Sequence, residues 1–284
     1  MKIGIVGLGL IGGSLARQIM RNTTHTVLAY DLSDEALKKG ALLNAYHEVL
    51  DINSPSIDVD ILMIATNPRA TLSILDSLTP RLKKGAIVFD CAGVKKDIIK
   101  KMVELKELYP DVYFVGGHPM AGREFSGVGH STATLFEKAY IIMTPVDMDD
   151  LPAVAVMKEF FSEMKCEGIT MSSYEKHDKI IAYTSQLAHI VSSAYIKNPL
   201  SQEHVGYSAG SFRDLTRVAK LNPVMWTELF MANKEYLLDA ITDLEKHIAE
   251  YKEAIQSGDE EHLKELLMVG TEMKESADKK ARQK

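Results

Sequence analysis

Cysteine is scarce in this chain. Cys91 and Cys166 are the only two in 284 residues, too few for a disulfide framework and without a metal-type spacing such as CxxC. Both read as buried thiols, and no metal site is expected. Long apolar runs are also missing. Gly, Asp or Pro interrupts each one far below the roughly 20 residues that a membrane span needs, so no membrane is expected as a partner. The opening Met1–Val6 enters a strand-like run with no signal-type apolar region before it, which makes the cytoplasm the expected compartment. A basic stripe is absent too. Lys and Arg number 33 against 39 Asp and Glu, a net charge of -6, and they are scattered, so no nucleic acid is expected as a partner.

What is present is an ordinary globular composition, 46% hydrophobic and 25% charged, on a chain long enough for two domains. A β-branched run from Lys2 to Val6 leads into Gly7-Leu8-Gly9-Leu10-Ile11-Gly12, and an amphipathic stretch from Ser14 to Arg21 follows. A glycine motif alone is weak, but here it sits between strand and helix. A second strand, Thr26 to Tyr30, then ends in Asp31 about 20 residues on. In that context Gly7 permits the turn, Gly9 lets the backbone approach a pyrophosphate, and Gly12 lets the helix pack close to the strand. The helix N-terminus meets the phosphates. Asp31 would accept from the adenosine ribose hydroxyls and repel a 2'-phosphate. With no Arg in Leu32-Ser33-Asp34, NAD is the expected cofactor.

Further strands read at Asp60 to Thr66, Ala86 to Asp90, Val112 to Val115 and Tyr140 to Thr144. Helices alternate with them near Ala70 to Leu78, Lys95 to Leu108 and Pro152 to Met164. This alternation predicts a doubly wound α/β Rossmann domain over residues 1–168. Ligands bind at the carboxyl ends of such strands. Thr66-Asn67-Pro68, the stretch Asp90 to Lys95 with Gly93, and the stretch Gly116 to Gly122 are therefore expected on one rim beside the nicotinamide. From Ser173 onward the periodicity is helical, with breaks at Asn198-Pro199, Gly206 to Gly210, Asn222-Pro223 and Ser257-Gly258-Asp259. Residues 169–284 are expected to form an all-helical domain. Apolar residues such as Ile190, Val191, Met225, Leu229, Leu237 and Leu238 are too many for one thin layer to hide, which predicts a homodimer through the helical half.

Four sets of residues together resemble the prephenate dehydrogenase family of tyrosine biosynthesis. They are Gly7 to Gly12; Gly117-His118-Pro119-Met120-Ala121-Gly122 with Glu124 and Ser126-Gly127; His177-Asp178 followed by Ser185 and His189; and Ser211-Phe212-Arg213-Asp214-Leu215-Thr216-Arg217 leading to Asn222-Pro223 and Trp226. The resemblance covers nearly the whole chain. No region like a fused chorismate mutase or a further regulatory domain is read, so the monofunctional core form is expected. The resemblance implies oxidative decarboxylation of prephenate, or of its amino counterpart arogenate, with hydride transfer to NAD. It also implies His118 as the base that takes the substrate's hydroxyl proton, and Arg217 as the residue binding the ring carboxylate.

Arg213 and Arg217 are four residues apart and would share a helical face, so Arg213 is the secondary candidate. Ser185 and His189, one turn apart, are assigned to the substrate's side chain or hydroxyl. His177 with Asp178 is left as a gate or a structural pair. Three departures from the family pattern are visible. Gly93 stands where a serine is usual, Arg123 stands where threonine is often found before Glu124, and Ser185-Gln186-Leu187-Ala188-His189 replaces a Ser-His-Leu-Pro-His run. Arg123 and Glu124 are expected at the pocket mouth. A hydroxyacid dehydrogenase of related layout is the competing reading, and it would use a lysine such as Lys176 or Lys179.

Overall fold

The computed structural model describes residues 1–147 and 150–282. Eight strands form one sheet. They are β1 (Lys2–Val6), β2 (Thr26–Tyr30), β3 (Glu48–Val49), β4 (Ile61–Ile64), β5 (Ile87–Asp90), β6 (Tyr113–Pro119), β7 (Tyr140–Pro145) and β8 (Gly168–Met171). Their order is β3-β2-β1-β4-β5-β6-β7-β8, with the reversal of a doubly wound sheet between β1 and β4. Strand residues alternate between faces. Ile3, Ile5, Ile61, Met63 and Phe89 point into one core, which also holds Leu15 of α1 (Leu10–Asn22) and Phe160 and Phe161 of α5 (Leu151–Glu163). Val6, Leu62, Ile64, Val88 and Phe114 point into the other. That second core takes Leu75 of α3 (Pro68–Leu78) and Ile98 and Met102 of α4 (Lys96–Leu108). Between β2 and β3 runs α2 (Asp34–Leu42), capped by the Ser33 hydroxyl, which accepts from Ala36 N–H.

Two details depart from the sequence reading. Strand β7 runs antiparallel to β6, pairing His118 with Ile142, while β8 is parallel to β7. A parallel step needs a long crossover, usually a helix. The chain between β6 and β7 has only turns and one short 3-10 segment, Val128–His130, so it folds back on itself. The second departure is β6 itself. It extends past Val115 to Pro119, so Gly116, Gly117 and His118 are strand residues. The glycines serve close packing: a Cβ on Gly117 would stand 2.0 Å from Phe89 Cζ, and one on Gly116 would stand 2.3 Å from Thr144 Oγ1.

Beyond β8 the chain is helical, as expected. Helices α6 (Tyr174–Ile181) and α7 (Ala188–Tyr195) are joined by a π-helical stretch, Ala182–Leu187. After them come α8 (Gly210–Thr216) and α9 (Pro223–Ala232). The sheet and all helices through α9 form one compact unit, Met1–Lys234. A second unit begins at Glu235 and holds α10 (Lys234–Ser257) from its second residue on and α11 (Glu260–Arg282), with Tyr251 Oη donating to the Leu266 carbonyl. Among the described residues, no helix is long and apolar enough to cross a membrane.

Candidate active site

The glycine turn fits a dinucleotide. Gly7 has φ of +95°, a conformation open to glycine at little cost, and a Cβ there would meet the Ala65 carbonyl at 2.5 Å. A Cβ on Gly12 would lie 1.8 Å from the Gly7 carbonyl oxygen, so helix and turn touch. Gly9, the N-cap of α1, faces open space, and no side chain caps that terminus. Its first N–H groups, those of Leu10 and Ile11 among them, have no partner inside the helix and are free for a phosphate. Asp31 is held firmly at the end of β2: Leu8 N–H donates to Oδ2 at 2.7 Å and Ser33 N–H to Oδ1 at 2.8 Å. Leu8, buried in the core, thus contributes by fixing this carboxylate. Thr66 lies against Gly7, its hydroxyl paired with that of Thr71 at 3.0 Å.

The pairing that organises the rest of the site is His118 with His177. His118 Nδ1 is 2.9 Å from His177 Nε2, and His177 Nδ1 is 2.7 Å from Asp178 Oδ1. Asp178 is wholly buried and also accepts the N–H groups of Lys95 and Lys96, both at 2.8 Å, at the start of α4. A carboxylate only accepts, so His177 Nδ1 carries the proton. With both rings neutral, His177 Nε2 then accepts from His118 Nδ1–H. His118 Nε2 is left as a lone pair. Burial foremost, then the neighbouring His177 and the Lys95 charge, hold His118 well below the usual imidazole value of 6.5, which keeps it a proton acceptor. The free nitrogen faces Gly93, where a Cβ would sit 3.8 Å from Nε2 and 3.5 Å from Leu229 Cδ2 of α9.

The remaining candidates form two further groups. Arg217 Nη1 donates to Glu124 Oε1 at 2.7 Å, with the arginine side chain 64% exposed. The structure therefore brings together two of the expected substrate residues, one after α8 and one after β6. Arg213 is exposed, and Arg123 lies over the Phe125 ring at 5.9 Å. In the other group, His189 Nδ1 donates to the Ser185 carbonyl at 2.7 Å, and its ring packs on Trp226 with centroids 4.0 Å apart. Nε2 is the ring nitrogen that this contact leaves over. Gln186, which stands where the family run has histidine, is buried. It donates to the Leu229 carbonyl and accepts from Asn233 Nδ2, so it joins π-helix to α9. Lys176 and Lys179 are exposed.

Among the described residues, no cluster of three or more His, Cys, Asp or Glu could hold a metal ion. Sequence reasoning did not place His177 or Asp178 against His118, nor Trp226 on His189. Those residues stood among the family marks, but nothing local in the sequence shows contacts made across the fold.

Family models described as prephenate dehydrogenase, nucleotide-binding domain, and prephenate dehydrogenase, dimerization domain, match residues 15–170 and 173–269. The chain belongs to the prephenate dehydrogenase family. It is 32% identical to the cyclohexadienyl dehydrogenase of Zymomonas mobilis, over 93% of this chain and 91% of that one. Among solved structures it resembles prephenate dehydrogenase from A. aeolicus in complex with hydroxyphenyl propionate and NAD+, with TM-score 0.84 and 29% identity over 97% and 98% of the two chains. It also resembles Synechocystis arogenate dehydrogenase, with TM-score 0.81 and 27% identity over 98% and 100%. The protein is an NAD-dependent dehydrogenase of this family, with a nucleotide-binding domain followed by a helical dimerisation domain.

Proposed function

We propose that the protein converts prephenate to 4-hydroxyphenylpyruvate by oxidative decarboxylation. The observation that carries this reading is the chain Asp178, His177, His118, which ends on an unprotonated Nε2 above Gly93. Bound NAD supplies the hydride acceptor, held by the turn Gly7 to Gly12 and by Asp31. As hydride leaves the carbinol carbon, His118 Nε2 takes the hydroxyl proton. The ring carboxylate departs as carbon dioxide, and aromatisation drives the step. His177 and Asp178 fix the imidazole's tautomer and orientation, as a third group does for any base that must stay aligned. Arg217 is assigned to the ring carboxylate. A guanidinium matches a carboxylate bidentately, and the exposed partner Glu124 is readily exchanged for one.

His189 and Ser185 are assigned to the substrate's side chain, with Arg123 and Arg213 as outlying cations. One observation favours arogenate as a second substrate: with Nδ1 turned to the Ser185 carbonyl, His189 has Nε2 left to accept, which suits an ammonium group. The hydroxyacid dehydrogenase reading is weakened by the exposure of Lys176 and Lys179. The division of labour follows the boundary at 168, with cofactor residues before it and most substrate residues after it. We also propose a homodimer. The dimerisation model matches the helical half, and α10 and α11 leave Leu238, Ile248, Ile255, Leu267, Met268 and Val269 each more than half exposed. The test is NADH formation with prephenate, arogenate and a panel of hydroxyacids. Turnover of a cyclohexadienol alone is expected, and turnover confined to hydroxyacids would overturn the reading.

A further inference from the structure

The ion pair of Asp90 and Lys95 lies wholly inside the protein, with both side chains at 0% exposure. The reaction proposed above gives neither residue a proton to carry or a substrate to touch. Burying such a pair is costly, and an apolar pair of similar volume often serves stability as well. Its hydrogen bonds show another use. Asp90 Oδ1 accepts the N–H of Gly117, the residue before His118 in β6, at 3.1 Å. Asp90 Oδ2 accepts the N–H of Ala92, the residue before Gly93, at 3.0 Å, and also takes Lys95 Nζ. One carboxylate therefore ties down both the strand that presents His118 and the turn that faces its Nε2. Lys95 reaches the other end of the same system, because its backbone N–H donates to Asp178 Oδ1, the atom that also accepts from His177.

We propose that Asp90 and Lys95 are positioning residues for His118, holding the imidazole, the Gly93 turn and the His177–Asp178 arm in one register so that Nε2 stays open to substrate. This rests on the reading of His118 as the base. The charged and titratable groups around that ring are His177 from α6, with Asp178 behind it, Lys95 at the start of α4 and Asp90 at the end of β5. The Lys95 charge disfavours a second positive charge on the ring and so favours the neutral imidazole.

The test uses the holoenzyme with NAD, nitrogen-15 NMR of the His118 ring assigned by its loss in His118→Asn, and the pH profile of kcat. The variants are Lys95→Gln and the double change Asp90→Asn with Lys95→Met, which leaves no unpaired buried charge. The expected result is a folded protein whose His118 midpoint rises in Lys95→Gln, where the cation is lost, and whose tautomers mix in both variants. Turnover at neutral pH should drop about 10- to 100-fold, as for a small misplacement of a catalytic group. Lys95→Arg should restore the wild-type midpoint. A folded double variant with unchanged tautomer, midpoint and turnover would overturn the proposal, as would loss of folding in every variant, Lys95→Arg included. The NMR readout needs no turnover. A wild type that shows the open-Nε2 tautomer yet makes no NADH from prephenate or arogenate would sink the substrate reading alone.

Discussion

Gly93 lies directly opposite the free nitrogen of His118, with room for a Cβ 3.8 Å from Nε2. The nearest atom that such a Cβ would meet is Leu229 Cδ2 at 3.5 Å, an ordinary contact, so Gly93→Ser should fold without strain. It would put a hydroxyl beside the substrate's own. One added hydrogen bond is worth about 1 kcal/mol, so kcat/KM should rise about 3- to 10-fold. A loss of activity in steady-state assays would show that this space serves the substrate itself.

His177→Asn removes the ring that orients His118 while leaving the cofactor turn untouched. Turnover should fall about 10- to 100-fold, as expected for a base left unaligned, with the NAD dissociation constant unchanged. Stopped-flow turnover together with NAD titration checks this. A normal kcat would make the His118–His177 contact incidental.

Assigned to the adenosine ribose, Asp31 would exclude a 2'-phosphate by charge, and Leu32 beside it is 91% exposed, so an arginine fits there. Asp31→Ser with Leu32→Arg should shift preference from NAD toward NADP. Because Asp31 also holds Leu8 and Ser33 N–H groups, some loss of affinity for both cofactors should accompany the shift. Equal use of NAD and NADP by the wild type would remove Asp31 from the ribose.

Arg217→Gln should raise the Michaelis constant far more than it lowers kcat, since the carboxylate is bound in the ground state and the transition state alike. Glu124→Gln, which takes the negative charge from the guanidinium's partner, should leave kcat within a few-fold. An unchanged Michaelis constant in Arg217→Gln would move the role to Arg213 or Arg123.

Much of the fold was legible because its signals are local. The turn Gly7 to Gly12, the strand ending in Asp31, and the helix breaks at Asn222-Pro223 and Ser257-Gly258 all depend on residues a few positions apart. Gly116-Gly117 misled for the opposite reason. The pair reads as the end of a strand at Val115 unless one knows that Phe89 and Thr144 crowd it from neighbouring strands. The antiparallel β7 could have been suspected from the lack of a helical stretch between residues 120 and 139. The site was half legible. His118, Arg217 and His189 stood out by family resemblance, but the contact of His118 with His177 joins β6 to α6 across 59 positions. The buried Asp90–Lys95 pair likewise looks like any two charges until the burial of both is known.

The most direct test of His118 as the base is the pH dependence of kcat for NADH formation, measured for wild type and His118→Asn. His118 is held well below 6.5. Protonation abolishes its acceptor, so wild-type activity should be level through neutral pH and decline only on the acid side of the ordinary histidine value. His118→Asn should lose about 100- to 10,000-fold and lose that acid limb as well, while still binding NAD. A variant with wild-type turnover and the same acid limb would contradict the assignment.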